Sequence, residues 1–173
     1  DHIASHRLLR GLKNRFGATF ELGIFEMLEN GLNQIKNPSS NFTNKENIAG
    51  VATTITLEGT RSFAVDIQSL VSKTVFNNPK RATTGLNLNR LHQIIAVIEK
   101  HVELKLYEFD CYVATAGGFE INDPSSDLCT AISIISSLIN KNPIKDCAFI
   151  GELGLNGQVR KSNNIKAKVE ECI

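Results

Sequence analysis

The chain has 173 residues and a formal net charge of +1, with 42% hydrophobic and 21% charged residues. This length predicts one compact domain with a short appendage, and the composition is that of an ordinary globular protein. A net charge near zero favours no highly charged partner, so local clusters of charge must decide that question. No apolar run approaches the ~20 residues that a membrane-spanning helix needs, so we expect no membrane partner.

The first half of the chain predicts strands joined by turns. Residues 1–16 are basic, and residues 21–27 then alternate between polar and apolar, as in a half-buried strand. Asn30-Gly31 predicts a turn. Further strands are predicted over 50–57 and 62–71, with a hairpin between them, whereas the polar residues of 72–87 predict a loop.

The second half mixes helices and strands. Apolar residues at helical spacing predict helices over 91–102 and from Asp123-Pro124 to 139. A final helix, capped by Asn163 or Asn164, would carry Ile165, Val169 and Ile173. Strands are predicted over 111–116 and 147–150, and Asn156-Gly157 predicts a hairpin turn. Because strands and helices do not alternate strictly, we expect an α+β fold.

The four cysteines are predicted to be free thiols. None forms a C-x-x-C pair, and two of them, Cys111 and Cys129, lie in apolar stretches. We therefore expect a reducing, intracellular compartment. His92 and His101 lack metal-ligand spacing, and His2 and His6 lack an evident third ligand, so no metal site is predicted.

Short motifs in a fixed order carry a family resemblance. They are Lys13-Asn14-Arg15-Phe16-Gly17, the segment 21–27, Glu58-Gly59-Thr60-Arg61, Asn78-Pro79-Lys80-Arg81, Thr84-Gly85-Leu86, Asn89-Arg90-Leu91, Ala116-Gly117-Gly118 and Gly151-Glu152-Leu153-Gly154-Leu155. This series resembles the C-terminal part of the RadA/Sms-type DNA-repair ATPases and spans nearly the whole chain.

The resemblance implies a domain organisation and a setting. Residues 1–40 would be the C-terminal remnant of a RecA-like ATPase core, and residues 41–173 a Lon-protease-like domain, truncated at its C-terminus, with mixed sheets and about three helices. Full-length members of the family are understood to form hexameric rings that move on DNA and promote branch migration, using ATP and magnesium. No G-x-x-x-x-G-K-[ST] motif occurs here, so we expect no cofactor and no ATP hydrolysis in this chain alone. The cytoplasm, the nucleoid and a eukaryotic organelle all remain open as compartments.

Basic residues predict contacts with phosphate groups. The resemblance assigns Lys13 and Arg15 to single-stranded or branched DNA and to a neighbouring subunit's ATP, and Arg10 lies in the same basic stretch. A solvated basic segment is the alternative. Lys80 and Arg81 form a second candidate DNA contact, with plain surface charge as the alternative.

A serine and a lysine stand where the Lon resemblance places a catalytic dyad. Ser125 follows a proline at a helix start, and Lys166 opens a later helix. A neutral lysine at such a position acts as general base for the serine. Asp127 stands where Lon has a glycine, and an ion pair between Asp127 and Lys166 would keep that lysine protonated.

We therefore expect a non-catalytic, Lon-like module that holds subunits in a ring and contacts DNA. The alternatives are a Ser–Lys endopeptidase built on Ser125 and Lys166, and an adaptor surface for recombination proteins.

Overall fold

The computed structural model describes residues 2–3, 6–10, 22–35, 37–44, 46–59, 61–75 and 77–172. Within these ranges the chain forms ten strands and four α-helices. The strands are β1 His2–Ile3, β2 His6–Arg10, β3 Leu22–Leu28, β4 Gly31–Gln34, β5 Val51–Glu58, β6 Arg61–Lys73, β7 Arg81–Thr84, β8 Phe109–Thr115, β9 Glu152–Leu153 and β10 Val159–Arg160. The helices are α1 Ser39–Phe42, α2 Leu88–Val97, α3 Asp127–Ile139 and α4 Ile165–Glu170. The predicted α+β class is confirmed.

The central sheet is mixed, in the order β5-β6-β8-β7. Its strands are antiparallel except for β7, which runs parallel to β8. The predicted hairpin between β5 and β6 is present, with Glu58 opposite Arg61. A second, antiparallel sheet has the order β1-β2-β3-β4, and β9 and β10 form a separate hairpin around Asn156-Gly157.

Helices α2 and α3 pack on the central sheet and form the larger core. Ile94 of α2, Ile98 directly after it and Ile134 of α3 are buried there with Ile67 of β6 and Val113 of β8. Burial of such side chains stabilises a fold by roughly 1.5–3 kcal/mol each. These contacts fix the direction of α3, whose first residues belong to the site described below.

A second cluster joins the β3–β4 hairpin to the central sheet. Ile24 and Ile35 are buried with Phe42, Phe63 and Phe119. The Phe63 and Phe119 rings meet edge to face at a centroid distance of 5.1 Å. The hairpin therefore shares an apolar core with β6.

Two predictions about local structure were wrong. The expected loop 72–87 contains the end of β6 and all of β7, whose short run Arg-Ala-Thr-Thr has no long apolar pattern. The expected buried strand 147–150 makes only one bridge, from Ala148 to Thr53, and Cys147 is exposed. A turn with Asp146 at φ 55° directly precedes this segment.

The cysteines are free, as predicted. Cys111 and Cys129 are buried, whereas Cys147 and Cys172 are exposed. Burial raises the pKa of the Cys111 thiol to about 11. None of the described helices has the length and apolar character needed to cross a membrane.

Candidate functional site: a buried lysine at the start of the third helix

The turn that leads into α3 is built by its own sequence. Asp123 precedes Pro124, and its Oδ1 accepts a hydrogen bond from the Ser125 backbone N–H at 3.0 Å. Proline suits the first position of a helix because it has no N–H to satisfy. The Ser125 carbonyl in turn accepts from the Gly151 N–H at 2.8 Å. The predicted helix start is confirmed, and Ser125 is fixed from both sides.

Lys168 is the centre of the site. It lies on α4, is 1% exposed, and donates hydrogen bonds to Ser125 Oγ and Asp123 Oδ2. A third bond runs to Ser162 Oγ at 2.8 Å. An ammonium group has three hydrogens to donate, and all three are used here. A buried charge is tolerated only when it is paired in this way.

The lysine beside Ser125 is Lys168 and not Lys166, which corrects the residue expected for the dyad. Lys166 is exposed. Residues two apart on a helix point about 200° apart, so only one of these lysines can face inward. The inward face of α4 contains Ile165 and Lys168, which are three residues apart, whereas Val169 is 48% exposed. Taking Ile165 as the inward position would have indicated Lys168, because residues three apart on a helix lie on the same face.

Asp127 also has a different partner from the one expected. The Arg90 guanidinium donates hydrogen bonds to both carboxylate oxygens of Asp127, with Nε to Oδ1 at 2.8 Å. The Leu153 N–H donates to Asp127 Oδ2 at 3.0 Å, and Arg90 Nη2 donates to the Leu153 carbonyl at 2.9 Å. Asp127 therefore ties α2 and β9 to the start of α3. Lys168 meets Asp123 instead, and so it still has a carboxylate partner.

Charge at the site favours the ion pair. Burial raises the pKa of Asp123, but hydrogen bonds from Lys168 and from Ser125 outweigh it and leave the pKa below the ordinary value. The Asp123 carboxylate is therefore ionised at neutral pH. Its side chain is only partly exposed, at the edge of a cleft of about 370 Å³ that Arg90 and Ser126 also line.

Ser125 is shut off from solvent. It is 2% exposed, and the Lys168 ammonium lies directly against its hydroxyl. The chemical components of a Ser–Lys dyad are thus in contact, but the nucleophile has no open surface in this arrangement. The predicted site residue Ser125 is therefore placed with a lysine and an aspartate in a closed polar cluster.

The residues predicted to contact DNA differ in how exposed they are and in what they contact. Lys80 is exposed, whereas the Arg81 guanidinium donates to the backbone carbonyls of Lys80, Phe109 and Leu106. Arg81 is thus engaged in holding β7 and the segment before β8. Lys13 and Arg15 lie outside the described residues, as does the side chain of Arg10 in β2.

The fold and the site define an α+β domain with an enclosed serine–lysine–aspartate cluster. No protein-family model matches the chain. Proteins named DNA repair protein RadA are similar over nearly all of it: 46% identical over 96% of the chain in Bacillus subtilis, and 43% over 99% in Synechocystis sp.. The relative from Streptococcus pneumoniae is 43% identical over 96% of the chain. The chain covers 34%, 37% and 40% of the Synechocystis, Bacillus and Streptococcus proteins.

The chain therefore belongs to the family of DNA repair proteins named RadA and corresponds to a C-terminal part of them, as its motifs predicted.

Proposed function

We propose that this chain is a non-catalytic, Lon-like module of a RadA-type DNA repair protein, which serves as a scaffold and contacts DNA. The family relationship supports the repair role, because relatives with that name match along 95–99% of the chain. One observation supports the non-catalytic role above all others. Ser125 is enclosed, with Lys168 ion-paired beside it.

Catalysis by a Ser–Lys dyad needs two conditions that this cluster does not meet. The lysine must have a free lone pair to accept the serine proton, and the reacting carbonyl must reach the serine oxygen. In the ion pair with Asp123, Lys168 is an ammonium that donates all three of its hydrogens. Ser125 has almost no exposed surface. This geometry supports a structural rather than a hydrolytic role for the cluster.

The wider setting of the proposal comes from the family. In the full-length protein, an ATPase core would bind ATP and magnesium and drive branch migration in a hexameric ring. This chain would hold neighbouring subunits together and offer Lys80, with Lys13, Arg15 and Arg10, to the DNA backbone. Such contacts are independent of sequence and weaken as salt releases counterions.

A repair assay with the full-length protein tests the proposal. Cells that carry Ser125→Ala should survive DNA damage as well as wild-type cells, because Ser125 performs no chemistry.

The DNA contact has its own test. Lys80→Ala should weaken DNA binding and lower the slope of affinity against salt by about one unit per lost phosphate contact. Lys166→Ala, at another exposed lysine, is the matched control for charge. Loss of repair in Ser125→Ala, with protein level and stability preserved, would contradict the proposal.

A Ser–Lys endopeptidase is the second candidate, now with Lys168 as its base. The observation that favours it is the direct contact between Lys168 Nζ and Ser125 Oγ. It predicts peptide cleavage that disappears in Ser125→Ala and in Lys168→Met but persists in Lys166→Met. Circular dichroism of each variant separates lost chemistry from lost folding.

A further inference from the structure

Helix α4 buries little apolar surface against the rest of the protein. Lys168 is its one fully buried residue, Ile165 and Ala167 are half-buried, and Val169 is 48% exposed. By contrast, α3 buries seven residues, Cys129 and Ile134 among them. A helix of six residues is also too short to be stable by itself. Within the part of the chain that the structure describes, the position of α4 therefore depends mainly on polar contacts.

Among the residues that the structure describes, nearly all of those contacts meet at one atom. Lys168 Nζ binds Asp123 and Ser125 at the start of α3, and Ser162 in the segment before α4. One further contact lies just past the helix, where Ser39 Oγ donates to Glu171 Oε1 at 2.6 Å in an exposed setting. Water competes for both groups of this exposed hydrogen bond, so its net contribution to stability is small. The Lys168 ammonium is thus the main attachment of α4.

We propose that α4 is a cover over Ser125 that the Lys168–Asp123 ion pair keeps closed. When the pair is intact, the lysine fills the space beside the serine hydroxyl, and Ser125 is buried. When the pair is broken, α4 loses its principal contact and moves away as a unit, while α3 and the central sheet keep their cores. The open form exposes Asp123 and Ser125 together, but it also takes the lysine away from the serine.

The movement of α4 separates two things that catalysis would need together, an accessible serine and a lysine beside it. The closed form holds a lysine at Ser125 but admits no substrate, and the open form admits solvent but lacks the lysine. Neither form combines an accessible serine with its base. The cover concerns α4 alone and does not rest on the proposed DNA contacts.

Asp123→Asn is the sharpest test, because asparagine keeps the helix cap and the shape but removes the charge. Backbone amides of residues 165–172 should then exchange hydrogen at least about tenfold faster, as the loss of one charge-assisted hydrogen bond gives. Exchange in α3 should be unchanged. Glu170→Gln, on the same helix and exposed, is the matched control and should exchange like wild type.

Trypsin gives an independent measurement, because cleavage after the buried Lys168 requires α4 to open. Asp123→Asn should be cut there faster than wild type under native conditions, with cleavage after the exposed Lys161 as internal reference. Ser162→Ala removes one of the three contacts, keeps both charges, and should give a smaller increase. If Asp123→Asn fails to fold, Ser162→Ala provides the test. Wild-type exchange and cleavage of α4 in the folded variant, or equal acceleration in α3, would overturn the inference.

Discussion

Two ion pairs lie at the start of α3, and they differ in which partner is buried. In the pair of Arg90 with Asp127, the carboxylate is 2% exposed and the guanidinium 31%. In the pair of Lys168 with Asp123, the ammonium is 1% exposed and the carboxylate 23%. Breaking a buried pair is costly chiefly because a charge is left without a partner inside the protein. The outcome of each substitution therefore depends on which charge remains.

The planar guanidinium and the ammonium also bind differently. Arg90 grips both oxygens of Asp127 and reaches the Leu153 carbonyl, so one side chain connects two helices and a strand. Lys168 is a point charge whose three bonds fan out to separate side chains. We infer that the first pair holds the core of the domain and the second holds only α4.

The largest effect is expected for Arg90→Ala. Among the described residues, it leaves the buried Asp127 carboxylate with the Leu153 N–H as its one donor, and the free energy of unfolding should fall by about 3–5 kcal/mol. Urea denaturation measures the loss, with Arg160→Ala, at an exposed arginine, as the control. A loss below about 1 kcal/mol, the level of a surface pair, would mean that the two pairs do not differ as described.

Lys168→Met should have a smaller effect. It removes the buried charge itself, and the Asp123 carboxylate that remains can be hydrated from its exposed side. We expect a loss of about 2 kcal/mol, mainly from unpaired polar groups at Ser125 and Ser162. Lys166→Met is the matched control on the same helix and should stay within about 0.5 kcal/mol of wild type. Equal losses in the two variants would refute the assignment of Lys168 as the inward lysine.

Ser125→Ala should cost about 1 kcal/mol, the usual contribution of one hydrogen bond. The lysine keeps its ion pair and its bond to Ser162 in this variant, so the cluster stays closed. Thermal unfolding followed by circular dichroism gives the comparison, with Ser40→Ala at an exposed serine beside it. A gain in stability would show that the Ser125 hydroxyl destabilises the folded protein, contrary to a structural role.

Acid should weaken the second pair in a defined direction. The pKa of Asp123 is lowered in the folded protein, so its contribution is fully present above about pH 4 and is lost as the pH falls further. Asp66 acts oppositely, because burial raises its pKa. The difference in stability between wild type and Asp123→Asn, measured from pH 3 to 7, isolates Asp123. That difference should shrink towards low pH, and a constant difference would contradict the ion pair.

The structural features that depend on a few adjacent residues could be predicted from the sequence. The Asp123-Pro124 helix start, the β5–β6 hairpin and the Asn156-Gly157 turn were each predicted from a few adjacent residues, and each is present. The α+β class followed from the order of such elements. The family was recognised from motifs that the relatives confirm.

Partners across the fold could not be predicted in this way. Ser125 was singled out, but its lysine was placed two residues too early, because the rotation of a six-residue helix depends on packing rather than on its own pattern. Asp127 was given the wrong partner, since Arg90 reaches it across 37 residues of sequence. The backbone carbonyls that the Arg81 guanidinium meets are likewise brought together only in the folded chain, and the contact of Arg81 with DNA stays a prediction.

The closed cluster of Ser125 and Lys168 is the feature on which the proposed non-catalytic role depends. Its most direct test is incubation of the folded chain with a serine-reactive fluorophosphonate, followed by intact-mass analysis and mapping of the modified residue. We predict no adduct at Ser125 in wild type over hours at neutral pH. An adduct at Ser125 that forms in wild type and in Lys166→Met, but not in Lys168→Met, would show an accessible and activated serine and would contradict the account.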